Sequence, residues 1–229
     1  MEPLLIEETG MNYLLIENLA VLVCATVGFA FGIRYLKTRK ALYAQMIVQG
    51  MICIALGRLY QCVHLITGGS LIDRFQVGAL GVLGAFSFFF SSNYGQIDSL
   101  VDDGGKDFKK YRLYALIGPL YVVLLLIPIL LSPTGRAFKI SSAVVCCAVG
   151  AACYFHVKHL MIPDVDYGVV RCLRGYNALA IALSVLSMWE LISLAWGSKI
   201  LFILSGVGLC GVSLALVPAM DKGVKKWQT

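Results

Sequence analysis

Charge is what this sequence has least of. Only 14% of its 229 residues are Asp, Glu, Lys or Arg, whereas 59% are hydrophobic and the mean hydropathy is +0.81. No stretch is polar enough to form a separate aqueous domain, so a soluble enzyme or binding module is excluded and one integral membrane domain remains. The eight cysteines, nearly all in or beside apolar runs, include no Cys-x-x-Cys spacing and no pair in an outer loop, which argues against a disulfide framework. Proline occurs six times, and only Pro119, Pro128 and Pro218 fall where they would kink or end an apolar run. The short alternating segments of a transmembrane barrel are missing as well.

What is present is a series of long apolar runs, at about 14–33, 41–67, 75–92, 113–131, 140–157, 175–196 and 200–220. A bilayer offers no water to unpaired backbone groups, so each run is read as a helix. The expected fold is therefore an all-α membrane protein, a single seven-transmembrane helix bundle spanning residues 1–229. The third run is expected to begin at Ser70-Leu-Ile-Asp73, which has the form of a capping box with Asp in place of Glu.

Sidedness follows from the Lys and Arg residues of the loops. Arg34, Lys37, Arg39, Lys40, Lys106, Lys109, Lys110, Arg112, Lys158, Arg171, Arg174, Lys222, Lys225 and Lys226 all fall on one side of a seven-span map. The other side holds Arg74, Arg136, Lys139 and Lys199. This predicts an N-terminus outside and a C-terminus in the cytoplasm of a plasma (inner) membrane. The acidic start, with Glu2, Glu7 and Glu8, predicts translocation without a cleaved signal peptide. The formal net charge of +6 suits anionic lipid headgroups and makes no demand for nucleic acid.

Ionisable groups inside apolar runs are the strongest functional signal, because each is costly unless paired or hydrated. Arg58, Gln61 and His64 follow one another at spacings of three on the second run. Glu190 stands beside Trp189 on the sixth run, and Glu17 at a similar outer depth on the first. These residues are expected to converge on an outward-facing cavity in which Arg58 pairs with Glu190 or Glu17. Such a pocket would take a small polar or anionic ligand, since a guanidinium offers a planar fork of donors. A purely structural ion pair, or an arginine that snorkels to the headgroups, is the competing reading.

The other side carries a second set. In FSFFFSSNYGQIDSLVDDGG, residues 86–105, phenylalanines give way within a few turns to Ser91, Asn93, Tyr94, Asp98 and Asp102. Ser91, Tyr94, Asp98 and Asp102 share one face if the helix continues past Gly95; they read first as a solvated interface with Asp/Lys pairs to Lys106, Lys109 and Lys110, and otherwise as a cytoplasmic surface able to meet a protein partner. His156 and His159, with Asp164 beyond them, read first as an interfacial polar belt, with no metal expected; their spacing makes a metal site the weaker alternative. Gln45 and Gln49, with Tyr176 and Asn177, read as interhelical hydrogen bonds. Glycine stripes at Gly28 and Gly32, at Gly78, Gly81 and Gly84, and at Gly206, Gly208 and Gly211 predict close helix contacts. The last set spells G-x-G-x-x-G, but no strand precedes it, so dinucleotide binding is excluded.

Several seven-helix chemistries are excluded by missing residues. No lysine lies deep in the last run, Lys199 standing at its outer entrance, so no retinal Schiff base and no other cofactor is expected. The third run ends SNYGQID without Asp-Arg-Tyr, the last ends LVPAMDK without Asn-Pro-x-x-Tyr, and the last run has no histidine for zinc hydrolysis. The remaining expectation is a receptor-like bundle that senses a small ligand. A small-solute or ion transporter is the alternative, and an intramembrane metal-dependent enzyme comes third.

Overall fold

The computed structural model describes residues 2–37, 41–72, 75–98, 108–162 and 172–228, and every element among them is helical. Seven helices follow in order: α1 (Glu2–Leu36), α2 (Leu42–Ile66), α3 (Ala79–Ser92), α4 (Lys109–Leu131), α5 (Arg136–Met161), α6 (Arg174–Trp196) and α7 (Lys199–Gln228). All except α3 are long and apolar enough to cross a membrane, so the chain is a multi-pass helical bundle of membrane type.

Two boundaries differ from the sequence reading for identifiable reasons. The third helix starts at Ala79 rather than at Ser70, with Gly78 in the cap position and no side-chain cap. The Ser70 hydroxyl instead accepts from the Ile72 N–H at 3.2 Å, a local turn that competes with helix formation. In α4 the helix breaks into Lys109–Ala115 and Ile117–Leu131 around Leu116. Pro119 explains the break, because it cannot donate to Ala115 four residues back and its ring crowds that carbonyl.

Packing closes α1, α2, α3, α5, α6 and α7 into a ring in that order, with α7 returning to α1, and α4 lies outside against α5 and α6. Burial follows this plan: 22% of the apolar stretch of α4 is buried, against 56% in both α2 and α6. Polar residues on α2 and α6 are thereby placed in the middle of the bundle. The interior is filled by Met51, Phe86, Phe89, Phe138, Tyr176 and Phe202, all essentially inaccessible. Phe86 and Phe89, of the third apolar run, meet edge to face at 5.5 Å and are buried in the core.

The glycine stripe of the third run packs closely on α2, as expected. A Cβ on Gly81 would lie 2.5 Å from the Cys53 carbonyl oxygen and 2.7 Å from the Gly57 Cα, so the two backbones touch. Gly81→Ala is expected to destabilise the bundle by about 1–3 kcal/mol through overpacking. Gly211, expected to pack, has open space within 4 Å of its Cβ direction. Gly211→Ala should therefore leave the melting temperature unchanged or slightly raised, and the pair of melting curves checks both.

Candidate functional site

Arg58 stands two-thirds of the way along α2 and is 4% exposed, so its charge has to be met inside the bundle. Both terminal nitrogens of its guanidinium donate to the two carboxylate oxygens of Glu190 on α6, a bidentate pairing across the ring. Nη1 also donates to Asn18 Oδ1 at 3.0 Å and to Gln61 Oε1 at 3.3 Å. Glu17 lies on its far side, with Oε2 at 3.8 Å from Nη1, an ionic contact beyond hydrogen-bond reach. Four buried polar residues from α1, α2 and α6 therefore surround one guanidinium, and they bring two carboxylates to a single cation.

Beside this cluster, on the α3 side, two cavities lie among the described residues. The larger, about 240 Å³, lies between the end of α2 and the segment leading into α3, bordered by Tyr60, Gln61, His64, Ser70, Phe75 and Gln76 among others. The smaller, about 20 Å³, touches Arg58 and Glu190 and shares Gln61 and Gln76 with the first. Gln76 donates through Nε2 to the Leu71 carbonyl, while its Oε1 is buried without a hydrogen-bond partner. His64 sits half-buried at the outer rim, stacked on Tyr60 with its Nε2 at 3.2 Å from the Ser70 carbonyl oxygen. It does not reach Arg58. Trp189 is 37% exposed and borders neither cavity, since its neighbour Glu190 takes the inward direction on α6.

At the opposite end the helix of α3 continues beyond Ser92 as a π-turn, Asn93–Ile97, that passes through Gly95 and reaches Asp98. The wider turn alters the face expected from regular spacing. Ser91 stays near the surface, donating to the Ser87 carbonyl at 2.9 Å, and Tyr94 is exposed and stacked on Phe90. Asn93 is fully buried, and Asp98 turns toward α5. Asp98 Oδ1 accepts from Lys158 Nζ at 2.6 Å and faces His159 Nε2 at 3.1 Å. Burial opposes the Asp98 charge, but the hydrogen bonds from His159 and Lys158 outweigh it and hold this carboxyl below its ordinary value.

Asn93 ties this end together. Its Oδ1 faces His159 Nδ1 at 2.9 Å, and its Nδ2 donates to the Phe89 carbonyl at 3.2 Å and faces His156 Nδ1 at 3.0 Å. The same His156 nitrogen lies 2.9 Å from Asn177 Oδ1 on α6. One ring nitrogen cannot serve both amides: protonated, it donates to Asn177; unprotonated, it accepts from Asn93. The histidine pair is thus engaged by amides and a carboxylate, and among the described residues no group of three His, Cys, Asp or Glu side chains is arranged to hold a metal ion. Asp102 and Asp164 lie outside the described residues. Gln49, expected to bond between helices, is exposed, whereas Tyr176 and Asn177 both pack around His156.

The chain matches no protein-family model, no curated protein and no solved structure at significance. Its own geometry therefore carries the functional argument. Asn18 and Gln76 are the site residues that the sequence reading passed over. Asn18 had a visible signal, an amide next to Glu17 in an apolar run. Gln76 had only its place at the head of the third run.

Proposed function

We propose that the protein is a seven-span, receptor-like sensor of a small polar molecule, with its binding pocket on the outer face of a plasma membrane. The observation that carries this reading is Gln76 Oε1, a buried acceptor without a partner at the wall of a cavity of about 240 Å³. A ligand N–H or O–H would satisfy it. The volume lies below the range of drug-sized pockets, which suits a molecule of amino-acid size. Because Glu190 occupies both arms of the Arg58 fork, the lining favours a neutral or zwitterionic hydrogen-bonding ligand over a simple anion.

Seven crossings are supported by the neighbours of α3. At its start, Gly78 packs on Gln61 and the Gln76 N–H donates to Ser141 Oγ, near the beginning of α5. At its end, the Ser92 hydroxyl donates to the Tyr43 carbonyl, and Asn93 meets His156. Tyr43 and Gln61 lie about 27 Å apart along α2 at the usual helical rise, so α3 with its π-turn spans nearly the depth of a bilayer core. With seven crossings the basic clusters share the cytoplasmic side, which places the cavity outside and the Asp98 end toward a protein partner.

The test is a thermal-shift screen of amino acids, amides and polyols on the protein in nanodiscs. A stabilising compound whose effect disappears in Gln76→Leu supports the reading. A full panel without any shift, or a shift that Gln76→Leu leaves intact, overturns it. Accumulation of the same compound in proteoliposomes would make the protein a carrier instead.

A further inference from the structure

We propose that Glu17 is a binding site for a single positive charge, a proton or a sodium ion, in the core of the bundle. This goes beyond the proposed pocket, since Glu17, on α1, borders neither cavity and lies against Gly206 of α7. Four observations converge on it. The carboxylate is 8% exposed, and neither of its oxygens has a hydrogen-bond partner. Arg58, the cation within ionic reach, is engaged on both arms by Glu190, and its contact to Glu17 is 3.8 Å. Counting Glu17, Glu190 and Arg58 leaves one surplus negative charge in a buried place. The carboxyl also rests on a glycine of α7: a Cβ on Gly206 would lie 2.4 Å from Glu17 Cγ and 2.7 Å from Oε1.

An unpaired buried carboxylate is among the most costly groups a protein can hold. The neighbouring Asn18 does not remove that cost, because its Nδ2 donates to the Leu14 carbonyl at 2.8 Å and its Oδ1 accepts from Arg58. A bound cation does remove it. Among the described residues, the charged and titratable groups that interact electrostatically with Glu17 are Arg58 and Cys62 of α2, Glu190 of α6 and Cys210 of α7, with Cys24 of its own helix hydrogen-bonded to Cys210. None of them supplies a second positive charge. Because Glu17 meets α2 through Arg58 and α7 through Gly206, occupancy of this site sets how α1 seats against both.

The experiment follows thermal unfolding of the full-length protein in nanodiscs. NaCl is titrated at constant ionic strength against choline chloride, and pH is varied from 6 to 9 without sodium. A melting temperature that rises with sodium but not with choline identifies the ion; one that rises with acidification and ignores sodium identifies the proton. Glu17→Gln carries a neutral group of the same shape. It should lose whichever dependence the wild type shows and melt at or above the wild type at pH 9 without sodium. Gly206→Ala, which keeps the carboxyl but crowds its seat, should shift the midpoint of that dependence. A wild type insensitive to both cations overturns the proposal, as does a Glu17→Gln variant that responds like wild type. A Glu17→Gln protein that fails to fold would overturn it too, because the amide reproduces the neutralised state.

Discussion

Arg58→Met is expected to destabilise the bundle by about 3–5 kcal/mol, the range for breaking a buried ion pair by removing one partner. Glu190→Ala should cost less. The asymmetry comes from the count of charges: methionine at 58 strands Glu17 and Glu190 together without a cation, while alanine at 190 leaves Glu17 within 3.8 Å of a guanidinium whose arms have just been freed. Thermal unfolding in nanodiscs ranks the two variants. Equal losses would mean that Glu17 cannot take over the guanidinium and that the cluster acts as a simple pair. Replacing Glu17, Arg58 and Glu190 together by Leu, Met and Leu should bring stability back toward wild type, as apolar replacement of buried ionic groups often does. If that triple variant is stable yet blind to every compound that stabilises the wild type, the cluster serves recognition rather than assembly.

The membrane class and the helices were legible because they depend on properties that accumulate along the chain. Long apolar runs cannot be anything but helices in lipid, and each observed helix covers the run predicted for it apart from the displaced start of α3. Meeting of Arg58 with Glu190 was legible for a related reason, since a buried charge demands a partner and few carboxylates lie at its depth. The choice between Glu190 and Glu17 was not legible. Both acids lie within reach of the same guanidinium, and only the relative rotation of α1 and α6 decides which receives the bidentate fork. Trp189 was drawn into the pocket by adjacency in sequence, yet neighbours on a helix point about 100° apart, so the inward turn of Glu190 sends the indole outward. The start of α3 was misplaced because a serine followed three residues later by an acid suits a turn as well as a helix cap. The π-turn at Asn93–Ile97 leaves no pattern in spacing, and without it Asp98 would not face Lys158.

The two polar clusters lie at opposite ends of the same helices. The segment leading into α3 borders the larger cavity and the π-turn that follows α3 carries Asn93, while α6 carries Asn177 near its start and Glu190 near its end. A shift of either helix on ligand binding therefore has a polar contact to change at the far side, and His156 is where that change would register. Its Nδ1 has two amides and one proton to settle between them, so the tautomer reports whether α5 is hydrogen-bonded to α3 or to α6. Asn93→Leu should cost about 1–3 kcal/mol for the His159 Nδ1 it leaves unsatisfied, while the Phe89 carbonyl keeps the backbone N–H of residue 93. The same variant should fix the proton on His156 Nδ1, donating to Asn177, whereas Asn177→Leu should fix it on Nε2, with Nδ1 accepting from Asn93. Nitrogen-15 shifts of the imidazole ring distinguish these forms directly. If Asn93→Leu and Asn177→Leu give the same tautomer as wild type, His156 is not the junction between the helices, and a signal from the larger cavity would have to cross the bundle through apolar packing alone.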